Sequence, residues 1–173
     1  LAAGRGTRMR SSIPKVLHPI LGIPMLDHVS RQVCAAGSDD ITVVVGHGAD
    51  QIRKHLKGSD VRTALQDPQR GTGHALLEAL DQAAPRYSTL VVINGDLPDL
   101  DSEMIRNLVE THLQQGQPMT IVTGMVDEPR GMGRVISSPE SDSGARYGRE
   151  VHRQRFPEQD VQPLFAFEIE NEH

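Results

Sequence analysis

Short β-branched runs alternate with helical patterns along this chain, and this alternation constrains the fold more than any other feature. Apolar runs stopped by turn residues predict strands over about 41–45, 61–65, 90–93 and 119–126. Helical periodicity predicts helices over about 24–37, 49–56, 72–83 and 101–115. The alternation favours an α/β fold with a mainly parallel, twisted sheet flanked by helices, in one domain over residues 1–173.

The first loop of the chain has the composition of a phosphate-binding site. Its glycines, Gly4 and Gly6, free backbone N–H groups, while Arg8 and Lys15 add positive charge. Two well-known phosphate loops do not match. The dinucleotide pattern needs a third glycine where this chain has Met9, and the Walker pattern needs a Gly-Lys dipeptide that the sequence lacks. A different kind of phosphate-binding loop is therefore indicated.

Two later loops also follow predicted strands and carry polar groups. In residues 66–75, Gln66 offers an amide that donates and accepts side by side, which matches the edge of uracil, and Thr72 can cap the next helix. In residues 94–98, Asp96 lies at the end of a buried strand, where a carboxylate suits Mg²⁺. Because ligands of such folds bind at the carboxyl ends of strands, we expect all three loops on one rim.

Composition argues against several other classes of function. The net charge is −5, the pI is near 5.9, aromatic residues are 3% and tryptophan is absent. These values argue against binding to nucleic acid or to an anionic membrane. Cys34 is the single cysteine, so no internal disulfide can form and a cytoplasmic setting is expected. The eight histidines show no zinc spacing and are expected in surface or capping roles.

The strings at these loops resemble those of a known enzyme family. Residues 1–9 read L-A-A-G-R-G-T-R-M, with P-K at 14–15, and resemble the signature of sugar-1-phosphate nucleotidylyltransferases. Residues 66–75 read Q-D-P-Q-R-G-T-G-H-A and are similar to the bacterial N-acetylglucosamine-1-phosphate uridylyltransferases. The resemblance implies the Rossmann-like nucleotide-diphospho-sugar transferase fold. It also implies Mg²⁺-dependent uridylyl transfer from UTP to N-acetylglucosamine 1-phosphate, with release of pyrophosphate.

The same resemblance implies roles for individual residues. Arg8 and Lys15 are expected to be catalytic, offsetting phosphate charge, and Asp96 to bind Mg²⁺. Family equivalents of Gln66 contact the uracil together with a glycine that matches Gly71. The expected substrate-binding residues are Leu1, Ala2, Ala3, Gly4, Gly6, Thr7, Lys15, Gln66, Gly71, Thr72, Asn94, Gly95, Asp96, Gly133 and Glu150.

The match is strong over residues 1–136 and weak over 137–173. The family has a sugar-binding glutamate where this chain has Val151, with Glu150 one place early, and the family's later sugar-binding asparagine and second magnesium ligand have no match. Residues 137–150 predict a flexible excursion, and the chain ends in a charged stretch without an obvious closing element. We therefore expect a domain truncated at both ends. A homo-oligomer, if one forms, is expected through a C-terminal acetyltransferase domain missing from this chain.

Three alternatives stay open. A related enzyme that uses another nucleotide or sugar phosphate is disfavoured by Gln66 and by the string at 71–75. A nucleotide-binding protein without turnover is favoured by the altered sugar-binding stretch. An incomplete chain would keep the core of the fold but could not act alone.

Overall fold

The computed structural model describes residues 1–38, 40–82, 88–124, 133–137, 145–147 and 160–168. Within these residues the helices are α1 (Met25–Ala35), α2 (Ala49–His55), α3 (Thr72–Gln82) and α4 (Ser102–Gln115). The strands are β1 (Pro19–Ile20), β2 (Ile23–Pro24), β3 (Thr42–Val45), β4 (Arg62–Leu65), β5 (Thr89–Val92), β6 (Met119–Gly124), β7 (Gly133–Ser137), β8 (Ala145–Tyr147) and β9 (Asp160–Glu168). The predicted helices and strands are confirmed, and their ends differ only slightly from the prediction. None of the described helices is long and apolar enough to span a membrane.

β3 and β4 form a two-stranded parallel sheet. β3 and β4 pair in parallel, from Thr42 opposite Arg62 to Val45 opposite Leu65. The start of the chain runs alongside β3, since Ala2 forms a parallel bridge with Val45. Helices connect these parallel segments, as the geometry of parallel pairing requires. The α/β fold class is confirmed.

A separate five-stranded sheet, formed by β5 to β9, is built around a strand that the sequence did not predict. β9 lies between β5 and β6 and is antiparallel to both, and β7 pairs with β9 and with β8. β9 is thus a central strand of this sheet, and it ends where the charged stretch expected to lack a closing element begins; residues 169–173 lie outside the described residues. The flexible excursion expected over 137–150 is wrong for residues 145–147, which pair with β7; residues 138–144 and 148–150 lie outside the described residues.

Two clusters of the core lie on the two faces of β3, and a third joins α1 to α4. On one face Val43 and Val45 pack with Ile52 of α2, and on the other Val44 packs with Ala75 of α3. A continuous apolar run is what a strand covered on both faces requires. Helices therefore cover the sheet on two sides, and the ends of the strands are left for the loops.

A cavity of about 650 Å³ lies between β3 and β5, and its walls also include α1, α3 and α4. Apolar side chains such as Val29, Val91 and Ile105 line it. The backbone of residues 1–3 hydrogen bonds to chain segments on both sides of this cavity.

His112 on α4 departs from the expected surface placement of the histidines. It is 3% exposed, and its Nδ1 lies 3.0 Å from the Thr120 Oγ1 of β6. Helical spacing puts it on the same face as the buried Ile105 and Leu108. The surface prediction is wrong for this residue because a hydrogen-bond partner lets a buried ring stay satisfied.

Asp101→Ala is expected to lower the free energy of unfolding by about 1 kcal/mol, because it removes the cap of α4. The Asp101 carboxylate accepts a hydrogen bond from the Glu103 backbone N–H at 3.0 Å. Urea unfolding followed by circular dichroism measures the change. Asp60→Ala, which removes an exposed carboxylate away from any helix start, is the matched control. Equal effects of the two substitutions would contradict the capping role.

Candidate functional site

Lys15 and Asp96 bring the first and third loops together. The Lys15 Nζ and the Asp96 Oδ2 form a direct ion pair. Lys15 begins a short 3-10 helix whose Val16 is buried, and Asp96 lies in the turn after β5. Their side chains remain 38% and 25% exposed, so a ligand can reach both charges. The expectation that these two loops share one rim is confirmed.

Backbone hydrogen bonds tie residues 1 and 2 to β3 and to the turn after β5. The Gly95 N–H donates to the Leu1 carbonyl at 2.8 Å, and the Ala2 N–H donates to the Val44 carbonyl at 2.8 Å. The glycine-rich loop therefore begins between β3 and β5.

The first loop presents its glycines and cations to solvent. Gly4 and Arg8 are exposed, and Thr7–Met9 forms a short 3-10 helix. Gly6 precedes this helix with a left-handed φ of 56°. A Cβ on Gly6 would lie 2.9 Å from the Lys15 Cβ, which is closer than two such carbons approach without a shift. Glycine at this position therefore lets the loop lie against the lysine.

Gly6→Ala is expected to lower the free energy of unfolding by about 1–2 kcal/mol from backbone strain alone, with a further loss from the collision with Lys15. Thermal unfolding measures the change. Gly58→Ala is the matched control, since Gly58 also has a positive φ of 91° but nothing within 4 Å of the added carbon. If Gly6→Ala is no less stable than Gly58→Ala, the close approach to Lys15 is not what requires glycine at position 6.

The second loop, residues 66–75, approaches the first loop beside Gly46, which directly follows β3. The His47 N–H donates to the Ala3 carbonyl at 3.2 Å. A Cβ on Gly46 would lie 2.9 Å from both the Ala3 carbonyl oxygen and the Gln69 Nε2. Gln69 thus reaches the base of the first loop, which places the second loop on the same rim as the other two.

Gln66 is buried directly after β4, and neighbours at the start of α3 hold its amide. It is 3% exposed, its Nε2 donates to the Gly71 carbonyl at 2.9 Å, and this nitrogen also lies 3.2 Å from the His74 Nδ1. The His74 Nε2 lies 3.3 Å from the Glu78 Oε1. Two neighbours therefore lie within hydrogen-bond distance of the amide nitrogen, and the expected contact of Gln66 with uracil stays a prediction.

The other predicted residues lie at the rim or farther along the chain. Thr72 is the first residue of α3, so it takes a helical position instead of the capping position before it. Asn94 is half-buried in the turn after β5. Gly133 begins β7 and pairs with Val161 of β9. Glu150 lies outside the described residues.

Three residues of this site were not among the predicted ones: Gly46, Gln69 and His74. The available signals were the glycine that stops the β3 run and the polar positions of the string at 66–75. These signals did not indicate a function for any of the three residues, because their contacts depend on how the loops meet in the folded chain.

The Asp96 carboxylate at the rim fits a metal that is shared with a ligand. Among the described residues, no three His, Cys, Asp or Glu side chains cluster closely enough to hold a metal by themselves. Mg²⁺ needs no such cluster where phosphate oxygens complete its coordination. The Asp96 carboxylate, partly exposed beside Lys15, therefore suits a metal held jointly with a phosphorylated ligand.

The site combines a glycine-rich loop, a cation and a carboxylate at the strand ends of an α/β fold. This combination defines a class of proteins that bind phosphorylated nucleotides. The chain belongs to the family of MobA-like NTP transferase domains, whose sequence profile matches residues 1–158. It is similar to the bifunctional protein GlmU of Enterococcus faecalis, at 43% identity over 136 residues, which are 79% of this chain and 30% of that protein. It is also similar to the bifunctional protein GlmU of Clostridium perfringens, at 34% identity over 172 residues, which are 99% of this chain and 38% of that protein.

The chain thus spans about a third of the length of these curated relatives. Among solved structures, it is similar to a nucleotidyl transferase from Methanothermobacter thermautotroptrophicus, with a TM-score of 0.60 and 28% identity. That likeness covers 77% of this chain and 66% of the other. The Rossmann-like nucleotidyltransferase fold expected from the sequence is confirmed.

Proposed function

We propose that this chain carries the site for uridylyl transfer from UTP to N-acetylglucosamine 1-phosphate. The observation that carries the proposal is the Lys15–Asp96 ion pair, which sets a cation and a carboxylate beside the glycine-rich loop. The similarity to bifunctional GlmU proteins supports the choice of uridylyl transfer, as do the strings at 1–9 and 66–75. The products are UDP-N-acetylglucosamine and pyrophosphate.

The reaction requires the chain to position the two substrates and to neutralise the charge of their phosphates. A phosphate oxygen of the sugar phosphate, already anionic at neutral pH, forms a bond to the α-phosphorus of UTP, and the bond from that phosphorus to the leaving pyrophosphate breaks. Backbone N–H groups of Gly4, Gly6 and Thr7 bind the phosphates. Arg8 and Lys15 offset the charge on the α-phosphate and on the leaving pyrophosphate.

Asp96 is the proposed ligand of Mg²⁺, together with phosphate oxygens of the substrates. The metal neutralises phosphate charge when it is bound. The Lys15 ammonium and the Asp96 carboxylate form an ion pair, so the proposed metal ligand and the proposed catalytic cation lie side by side at the rim.

The other substrate contacts fall into two groups. The amino sugar is assigned to Gly133, at the start of β7, and to Glu150. The contacts at the rim formed by the three loops are assigned to Leu1, Ala2, Ala3, Gln66, Gly71, Thr72, Asn94 and Gly95.

The proposal also includes the cytoplasmic setting that the sequence leads us to expect.

A panel of nucleoside triphosphates and sugar 1-phosphates, scored by pyrophosphate release, tests the proposal. UTP with N-acetylglucosamine 1-phosphate is expected to react faster than any other pair and to need a divalent cation. A preference for another nucleotide, or equal rates with glucose 1-phosphate, would contradict it.

A nucleotide-binding role without turnover is the second candidate. Val151 stands where the resembled family has its sugar-binding glutamate, and this departure favours the second role. UTP binding without pyrophosphate release, at saturating sugar phosphate and metal, would support it over uridylyl transfer.

A further inference from the structure

We infer that His74, supported by Glu78, is a positioning residue that makes Gln66 select a base with a ring N–H, as in uracil, over cytosine. The inference rests on the proposed function, because it concerns how the same site distinguishes one nucleotide from another. It assigns a role to two side chains of α3 that neither the phosphate chemistry nor the metal uses.

Hydrogen-bond chemistry fixes the orientation of the Gln66 amide. A carbonyl can only accept, so the group that faces the Gly71 carbonyl at 2.9 Å is the amide nitrogen and not its oxygen. The Ala75 backbone N–H donates to the same carbonyl at 3.1 Å, which holds this carbonyl at the start of α3. One of the two amide hydrogens is thereby committed.

The second amide hydrogen faces His74. Because the Gln66 nitrogen is a donor, the His74 Nδ1 at 3.2 Å has to accept, and the ring proton then lies on Nε2. That Nε2 lies 3.3 Å from the Glu78 Oε1, one helical turn later. A carboxylate favours the tautomer that donates to it, so Glu78 supports the same tautomer that Gln66 needs. The contacts at Gly71, His74 and Glu78 all agree on one arrangement.

With both hydrogens of the amide nitrogen engaged, the oxygen is the atom of Gln66 that would meet a base. The N3–H of uracil can donate to this oxygen, whereas cytosine carries a lone pair at N3 and two acceptors would face each other. Gln66 is 3% exposed, so water has little access to relieve such a mismatch. A buried polar group without its partner typically weakens binding about tenfold to a hundredfold.

Gly71 alone would not fix the amide in this way. A side chain held by one hydrogen bond can pivot about it and can turn its second N–H towards the base. The contact with His74 occupies that N–H and sets the plane of the amide. Loss of His74 should therefore relax the choice of base and leave the contacts to the triphosphate in place.

His74→Leu is expected to reduce the preference for UTP over CTP about tenfold or more, measured as the ratio of dissociation constants for the full chain. Affinity for inorganic triphosphate, which has no base, should stay within about twofold of the parent, which is less than 0.5 kcal/mol. His74→Asn places a carbonyl oxygen near the position of Nδ1 and should restore most of the selectivity. Leu77→Ala, at a 62% exposed position of the same helix, is the control and should leave the ratio unchanged.

The outcomes separate failure of this inference from failure of the proposed function. An unchanged ratio in His74→Leu with UTP still bound would overturn the role of His74 only. Equal loss of triphosphate affinity and of base preference would indicate a structural effect and would also overturn it. A folded parent chain that binds neither UTP nor CTP would refute the proposed function itself.

Discussion

Lys15→Ala is expected to lower turnover at least about a hundredfold, since one preorganised charge contact is worth about 3 kcal/mol in a transition state. The Lys15 ammonium lies at the rim against Asp96 and beside the glycine-rich loop, where charge would develop on the leaving pyrophosphate. The loss should fall mainly on kcat, because the cation acts on charge that builds up during the reaction. Rates of pyrophosphate release over a range of UTP concentrations measure it.

The controls for this prediction separate charge from geometry. Lys57→Ala removes an exposed lysine just beyond α2 and should leave the rate unchanged. Lys15→Arg keeps the charge with a different shape and should recover only part of the activity. If the chain binds UTP without turnover, the same substitution is measured as a loss of UTP affinity. A Lys15→Ala variant with normal rate and normal affinity would remove this residue from the mechanism.

Asp96→Asn is expected to reduce turnover by a similar factor of at least about a hundredfold, because the amide keeps the size of the side chain but loses its charge. The metal concentration that gives half of the maximal rate should rise about tenfold or more, since a carboxylate is a stronger ligand for Mg²⁺ than an amide. Titrating Mg²⁺ against the rate at saturating UTP measures both effects. Asp60→Asn, at an exposed position away from the rim, is the control.

The ion pair adds a test of its own. Because Lys15 and Asp96 touch, the double variant should lose less activity than the two single losses combined. Full activity of Asp96→Asn at low Mg²⁺ would exclude this carboxylate as the metal ligand. Strict additivity of the two substitutions would mean that the residues act independently during catalysis.

The elements that the sequence predicts well are those with complete local signals. β3 has an unbroken β-branched run that ends at Gly46, and α4 has both a helical periodicity and a capping aspartate. β9 lacks such a signal because Pro163 interrupts its pattern and cannot donate to a neighbouring strand. The β6–β9 register shifts between Val122 and Gly124, along the stretch that includes Pro163, so a local irregularity accommodates it.

The residues of the candidate site also divide into those that the sequence identifies and those that it does not. Glycine, lysine and aspartate are residue types that indicate phosphate or metal binding. Gly6, Lys15 and Asp96 could therefore be selected from the sequence. The contact between Lys15 and Asp96 joins positions 81 residues apart, and no local pattern specifies it. His74 looks like any histidine in an amphipathic helix, and its relation to Gln66 appears only when the loop before α3 has folded back.

The first loop follows residues that hydrogen bond on two sides, since Ala2 donates to Val44 of β3 and Leu1 accepts from Gly95 after β5. A ligand that binds this loop only in the folded chain would link binding to folding. By mass action, a ligand at a hundred times its dissociation constant would add about 2.7 kcal/mol to the free energy of unfolding. A nucleotide bound there would thus stabilise the fold as well as occupy the site.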